Sequence, residues 1–202
     1  MTVLLRYAVR QGLTTVVMRK FATLLLIIVS SLAFAGESLP AADVWSTGDL
    51  TRVLGKEEAP QLLDDWRWLI GAENRPVMIT TMGDAFVLNE KTGVVSFVDT
   101  LEGKLKPIAN SLNAFHERLR KDQEFVDEYF ATQRLREARA RGLKIGKHEV
   151  YSFVHPPVLG GPQTAENLEA SDLALHFSLL GQIFQQIQKF PPGTKIEKIN
   201  LY

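Results

Sequence analysis

Three short segments in the middle of the chain constrain its fold most. They read PVMITTMG, DAFVLNE and GVVSFVDT, and turn-forming residues separate them at Gly83-Asp84 and at 89–93. Segments rich in β-branched and aromatic residues form strands, and strands joined by turns this short pair as antiparallel hairpins. With a further short strand around 104–108, the sequence therefore predicts an antiparallel β-meander.

Helical periodicity flanks these strands on both sides. Before them, Thr47 can cap a short helix that ends at Gly55, and apolar residues recur at helical spacing in APQLLDDWRWLIG. After them, Ser111 opens one helix, and a second is predicted from about Asp122 to Arg141.

The last part of the chain contains a strand, a loop and a long helix. HEVYSFV predicts a strand, the helix runs from Ser171 or Asp172 to Lys189, and KIEKINLY alternates as a final strand. The predicted fold class is α+β: an antiparallel β-sheet flanked by helices, with the long C-terminal helix packed on the sheet.

The beginning of the chain has the layout of a secretory signal peptide. Residues 18–35 combine a basic start, a 14-residue apolar run and the small-residue pattern Ala33-Phe34-Ala35. A signal peptide is therefore predicted over 1–35, with Met18 as an alternative true start, followed by a flexible leader over 36–46. The apolar run is shorter than the ~20 residues that span a bilayer, so membrane contact is expected only through an uncleaved signal segment.

Composition excludes several kinds of site. The chain has no cysteine, which excludes disulfides, thiolate metal ligands and cysteine nucleophiles. Lysine and arginine number 23 against 23 acidic residues, and four of the basic residues precede residue 36. The remainder is mildly acidic, so nucleic-acid binding is not predicted.

One group of three residues could form a metal site. Asp172 and His176 stand four residues apart on one helical face, and His155 is the candidate third ligand. The alternative is that His176 is a buried polar group bonded to Asp172 or to a loop carbonyl. Gly181, in the middle of the same helix, predicts close approach of another backbone, with the loop VHPPVLGG as the candidate.

Motifs of common enzyme classes are missing from the sequence. It contains no HExxH, GxSxG, GxxxxGK[ST] or GxGxxG. Binding therefore fits these residues better than catalysis, and no cofactor is predicted. A basic segment that includes Arg134, Arg136 and Arg139 is interpreted either as a solvated helix end or as a contact surface for an acidic partner.

The C-terminal segment carries a more specific pattern. A proline-rich loop closing in Leu-Gly-Gly is followed by an Asn, an Asp four residues before a His, Leu-Gly-Gln-Ile-x-Gln-Gln and Pro-Gly-Thr. The residues concerned are His155, Pro156, Pro157, Leu159, Gly160, Gly161, Asn167, Asp172, His176, Leu180, Gly181, Gln182, Ile183, Gln185, Gln186, Pro192, Gly193 and Thr194. This pattern resembles the C-terminal domain of Tdi-type immunity proteins linked to type VI secretion.

The resemblance sets the expected domains. Residues 121–202 correspond to the Tdi-type C-terminal domain, and residues 47–120 look like part of the GAD-like domain that often precedes it. The family implies a non-catalytic immunity protein whose partner is a protein, a cognate toxin. Combined with the signal peptide, it implies a periplasmic location, or a cytoplasmic one if the leader is misread.

Two other functions remain open at this level. One is a periplasmic metal-dependent hydrolase that uses Asp172, His176 and His155. The other is a structural envelope protein without a toxin partner.

Overall fold

A computed structural model describes residues 45–55, 61–191, 194 and 198–202. All of them belong to one unit, Trp45–Tyr202. The signal peptide over 1–35 and most of the leader over 36–46 lie outside the described residues and stay predictions. Within the described residues, no helix has the length and apolar character that crossing a membrane requires.

A five-stranded antiparallel sheet forms the centre of the unit. Its strands follow chain order, β1-β2-β3-β4-β5. Four of them form the predicted meander, which is therefore confirmed. The strands are β1 (Thr51–Arg52), β2 (Asn74–Thr80), β3 (Ala85–Asn89), β4 (Val95–Asp99) and β5 (Lys104–Ala109).

Both faces of this sheet are covered. Successive side chains of a strand point to opposite faces, so the neighbours Phe86 and Val87 enter different cores. Val87 packs in a cluster with Trp66 and Phe177, whereas Phe86 packs with Phe115 and other aromatic side chains. Helices therefore flank the sheet, as the α+β prediction requires.

The short elements before the meander differ in part from prediction. Helix α1 spans only Thr47–Leu50, and its N-cap is Ser46, which forms a capping box with Asp49. The prediction that Thr47 caps a helix reaching Gly55 is wrong, because Thr51 is extended and pairs with Thr80 as part of β1. The next predicted helix, in APQLLDDWRWLIG, is confirmed only in part: its residues form a 3-10 turn, Asp64–Trp66, that leads into the four-residue α2 (Arg67–Ile70).

Three helices follow the meander where two are predicted. Helix α3 (Leu112–Lys121) starts at Ser111, whose Oγ accepts a hydrogen bond from the Ala114 amide at 3.1 Å. The predicted helix from Asp122 to Arg141 divides into α4 (Gln123–Tyr129) and α5 (Thr132–Ala140). The break lies at Ala131, whose φ of 48° is left-handed.

The last part of the chain forms a second, two-stranded sheet and the long helix. Strand β6 (Glu149–Phe153) pairs with β7 (Leu168–Asp172), which was not predicted, and α6 (Leu173–Ile187) follows directly. The small sheet joins the meander through the Tyr151 amide, which donates to the Thr81 carbonyl at 2.9 Å.

The predicted final strand in KIEKINLY is not found in its described residues. Residues 198–202 belong to no strand and are instead bonded to side chains of α6. Polar side chains of the helix satisfy this backbone, so the segment does not need a strand partner.

Candidate functional site

The described residues of the C-terminal pattern lie in and around α6, and Asn167 organises the first part; Pro192 and Gly193 lie outside the described residues. The proline loop, residues 154–161, leaves β6 and returns toward β7. The Asn167 side-chain amide donates to the carbonyls of His155 and Pro162, each at 2.8 Å, and its oxygen accepts from the His155 amide at 3.0 Å. Asn167 is buried, and these three side-chain bonds hold the two ends of the loop together.

Two glycines let this loop close. Gly160 follows a 3-10 turn over Pro157–Leu159 and has a φ of 94°. A Cβ on Gly161 would lie 1.8 Å from the His155 carbonyl oxygen, a separation that no side chain tolerates. The loop is therefore a tightly specified corner of the scaffold.

His176 is buried between the two sheets and is bonded at both ring nitrogens. Its Nε2 lies 3.0 Å from the Gly83 carbonyl oxygen and its Nδ1 lies 2.9 Å from the Ser152 hydroxyl. A carbonyl can only accept, so Nε2 carries the proton and Ser152 donates to Nδ1. Burial lowers the pKa of His176 to about 4, and the bond to Gly83 opposes this shift.

Asp172 does not pair with His176. Its carboxylate accepts from the Leu175 amide at 3.0 Å and so caps the N-terminus of α6. Of the two partners considered for a buried His176, the structure therefore has the loop carbonyl, that of Gly83, and not Asp172.

The candidate metal ligands are engaged separately. Nε2 of His155 lies 3.0 Å from the Leu159 carbonyl within the proline loop, while Asp172 caps a helix and His176 is buried. In the part of the chain that the structure describes, no three His, Asp or Glu side chains form a group that could hold a metal ion.

A small cavity beside His176 contains an acidic side chain that sequence reasoning missed. Oδ1 of Asp84 accepts from both the amide and the hydroxyl of Thr100, each at 2.9 Å. Burial, and next the charge of Asp99, raise the pKa of Asp84 to about 7, while the bonds from Thr100 and the charge of Arg134 oppose the shift. The sequence marked Asp84 only as a turn residue.

The size of this cavity limits what it can do. Its volume is about 30 Å³, and side chains from the meander, the proline loop and α6 line it. This is room for about a water molecule and not for a substrate.

Gly181 does permit close packing, but against a different element from the one predicted. A Cβ there would lie 2.7 Å from the Asp65 carbonyl oxygen, in the 3-10 turn before α2. The prediction that the proline loop lies against Gly181 is therefore wrong. The adjoining Trp66 indole donates to the Phe177 carbonyl at 2.9 Å, which ties this turn to α6.

Two glutamines of the pattern bind the backbone of another segment. Gln186 bonds both the amide and the carbonyl of Asn200, and Gln182 bonds both those of Tyr202. Gln185 is exposed on a different side of the helix.

The three arginines singled out in the sequence lie on two sides of α5. The Arg134 guanidinium lies over the Phe153 ring at 5.5 Å, near the small cavity. Arg136 and Arg139 lie over the Trp45 ring at 5.6 and 4.8 Å, and Arg139 also pairs with Asp49. Only Arg139 borders the groove described next.

A basic groove runs between α1, the end of α5 and the following loop. We define it by Arg52, Arg139, Lys144 and Lys147, and Asp49 is the one acidic residue that lines it among the residues the structure describes. Its volume is about 560 Å³. Lys144 and Lys147 are exposed, and neither forms an ion pair with a described residue. Opposite charges attract strongly in such a concave surface, so the groove favours an acidic ligand.

Comparisons with known proteins agree with the pattern in α6 and the proline loop. Residues 109–184 match the family described as "T6SS immunity protein Tdi1, C-terminal", where T6SS is the type VI secretion system. This range runs from the end of β5 through most of α6, and it confirms the predicted resemblance for that segment. The GAD-like resemblance upstream stays a prediction.

The other comparisons add little to this. No curated protein matches the chain. A solved structure, Atu4351 from Agrobacterium tumefaciens, is 14% identical, with coverage of 67% of this chain and 68% of that chain and a TM-score of 0.48.

Proposed function

We propose that this chain, whose residues 109–184 belong to the Tdi1 C-terminal family of type VI secretion immunity proteins, is a non-catalytic immunity protein that binds and neutralises a cognate protein toxin. The family match is the observation that carries the proposal. It covers α3 to α5, the second sheet and most of α6, so it concerns a packed part of the unit and not one short motif.

The bonding of the pattern residues supports a binding role over catalysis. Asn167 holds the proline loop, Asp172 caps α6 and His176 joins the two sheets. A nucleophile or general base must be able to reach a substrate, whereas these groups have their bonds inside the protein. We therefore expect the toxin to be recognised by exposed residues on the surface of the protein.

The basic groove is the surface that we assign to the toxin. Lys144 and Lys147 are exposed and pair with no acidic side chain among the described residues, and Arg139, which pairs with Asp49, lies beside them in the groove. An acidic segment of a toxin would gain complementary charge there, which raises the association rate and orients the complex. Arg134 and Arg136 do not line this groove, so a partner contact at these two residues stays a prediction.

A periplasmic location is also part of the proposal. It rests on the signal pattern in residues 18–35, since an exported immunity protein protects against a toxin that acts outside the cytoplasm. Without cleavage or export, the same binding would protect the cytoplasm.

Rescue from a toxin encoded by a neighbouring gene is the direct test. Each neighbouring product is expressed with the immunity candidate, once directed to the periplasm and once kept in the cytoplasm, and growth is measured. The full chain is expected to restore growth against one periplasmic toxin, and a version lacking residues 1–35 is expected to fail. No rescue from any neighbour in either compartment would contradict the proposal.

A further inference from the structure

Gln182 and Gln186 form a ladder of side-chain amides along one side of α6. Gln186 donates from Nε2 to the Asn200 carbonyl at 2.7 Å and accepts at Oε1 from the Asn200 amide at 3.1 Å. Gln182 repeats this pattern with Tyr202, at 3.2 Å for the carbonyl and 2.7 Å for the amide. Each glutamine thus bonds one residue as a neighbouring β-strand would.

The spacing of helix and segment explains why the ladder works. Four residues of an α-helix rise about 6 Å, and two residues of an extended chain advance about 6.6 to 6.8 Å. Glutamines at i and i+4 therefore meet alternate residues of an extended segment, here 202 and 200. The segment runs antiparallel to the helix.

Recognition of this segment depends little on its side chains. Ile199 is partly buried against the main core, but Leu201 is 53% exposed and Tyr202 is 96% exposed. The four ladder bonds all go to backbone groups. A different extended peptide with an apolar residue at the position of Ile199 would satisfy the same bonds.

Neighbouring side chains hold Gln182 in its binding geometry. Gln182 is buried, and its Nε2 also donates to the Ser178 hydroxyl at 3.0 Å. Ser178 in turn donates to the Asp65 carboxylate at 2.5 Å. Neighbours that fix a side chain in its binding geometry reduce the entropy lost when a ligand binds.

We propose that Gln182 and Gln186 form a peptide-binding site that recognises extended backbone preceded by an apolar residue, and that residues 198–202 are its resident ligand. The site is separate from the basic groove and does not depend on the proposed toxin binding.

Amide hydrogen exchange of the full chain tests the bonds within the molecule. The amides of Asn200 and Tyr202 are expected to exchange at least tenfold more slowly than that of Leu201. Gln186→Leu should remove the protection at Asn200, whereas the exposed Gln185→Leu on the same helix should leave it unchanged. Equal exchange at 200, 201 and 202 would overturn the proposal.

Peptide binding to the full chain tests the site itself. Asn200→Pro with Tyr202→Pro removes the two backbone N–H groups that donate to the glutamine side-chain oxygens. This double substitution is expected to release the C-terminal segment and leave both glutamines open to another peptide. The peptide Lys-Ile-Asn-Leu-Tyr should then bind saturably, shifting the NMR signals of the Gln182 and Gln186 side-chain amides. Wild type, whose ladder is filled, should bind it at least tenfold more weakly.

Matched variants decide how the peptide is recognised. Adding Gln182→Leu and Gln186→Leu to the proline variant should weaken peptide binding at least tenfold, while adding Gln185→Leu and Gln188→Leu should not. A peptide with proline at the positions of Asn200 and Tyr202 should not bind. Binding that survives loss of both ladder glutamines, or no binding at all to the proline variant, would overturn the proposal.

Discussion

At the scale of single residues, His176 and Asp84 have pKa values shifted in opposite directions beside one cavity. The pKa of His176 falls from 6.5 to about 4, and that of Asp84 rises from 3.8 to about 7. Between about pH 4 and 6.5, the unfolded chain therefore binds a proton at His176 that the folded protein lacks. Over the same range the folded protein holds a proton on Asp84 that the unfolded chain has released.

These two linkages oppose each other, which gives a pH prediction. Acidification from pH 6.5 to 4 destabilises the fold through His176 and stabilises it through Asp84, so the two contributions nearly cancel in the wild type. Asp84→Asn removes only the second. The free energy of unfolding of this variant is expected to fall, relative to wild type, by up to about 3 kcal/mol across that range, as measured by urea denaturation.

Two observations would check the assignment. His176→Gln should show the opposite trend relative to wild type, with stability gained on acidification, because the contribution of Asp84 is then no longer opposed by that of His176. Parallel stability profiles of wild type and Asp84→Asn from pH 4 to 7 would contradict the shifted pKa values. Asp99 and Arg134 are the charged groups that act on Asp84, so Asp84→Asn also removes their electrostatic interaction with this carboxyl.

At the scale of elements, a hydrophobic pattern did not predict the break between α4 and α5. Ala131 is a good helix former, yet it is left-handed here, and the Thr132 hydroxyl beside it donates to the Asp127 carboxylate at 2.6 Å. Phe130 packs on Phe86 with ring centroids 5.5 Å apart. The break lets this ring enter the aromatic core while α5 leaves in a new direction.

Ala131→Gly is expected to stabilise the protein. A left-handed backbone costs a residue with a Cβ about 1 to 2 kcal/mol, and glycine avoids this cost at the expense of a more flexible unfolded chain. The free energy of unfolding should rise by roughly 0.5 to 1 kcal/mol in a urea titration. Ala140→Gly, at an exposed helical position in α5, is the control and should lower it; a loss of stability in both variants would contradict the role of the break.

At the scale of the whole molecule, the basic groove combines parts of the chain that lie far apart in sequence. Arg52 comes from β1, Arg139 from α5, and Lys144 and Lys147 from the loop before β6. Arg52 is held there because its Nε donates to the Glu149 carbonyl at 2.6 Å. The groove therefore exists only when the unit is folded.

Charge reversal in the groove tests its role in toxin binding. Lys144→Glu with Lys147→Glu is expected to weaken binding of the toxin found by rescue at least tenfold, mainly through slower association and most strongly at low salt. The melting temperature should stay unchanged, since neither lysine forms an ion pair with a described residue. Lys189→Glu changes an exposed lysine outside the groove and is the control. Equal toxin affinities of wild type, the double variant and this control at low salt would exclude the groove as the toxin-binding surface.

Much of the fold could be predicted because its signals are local. Alternating residues and the turns at Gly83 and Gly93 define the meander, and Ser111 and Asp172 cap helices through amides three residues ahead. The family pattern likewise lies within one continuous stretch. These features depend on neighbours in sequence, so one sequence is enough to find them.

By itself, then, the sequence determined the strands of the meander, the start of α3 and α6, and the resemblance of the C-terminal segment. The tertiary structure alone decided that Asp65 lies against Gly181, that Gly83 and Ser152 bond His176, that Thr51 and Arg52 become a strand, and that Gln182 and Gln186 bind residues 198–202. Each of these contacts joins residues whose partners are chosen by packing of the whole unit. Periodicity describes which face of an element is buried, but not which element covers it.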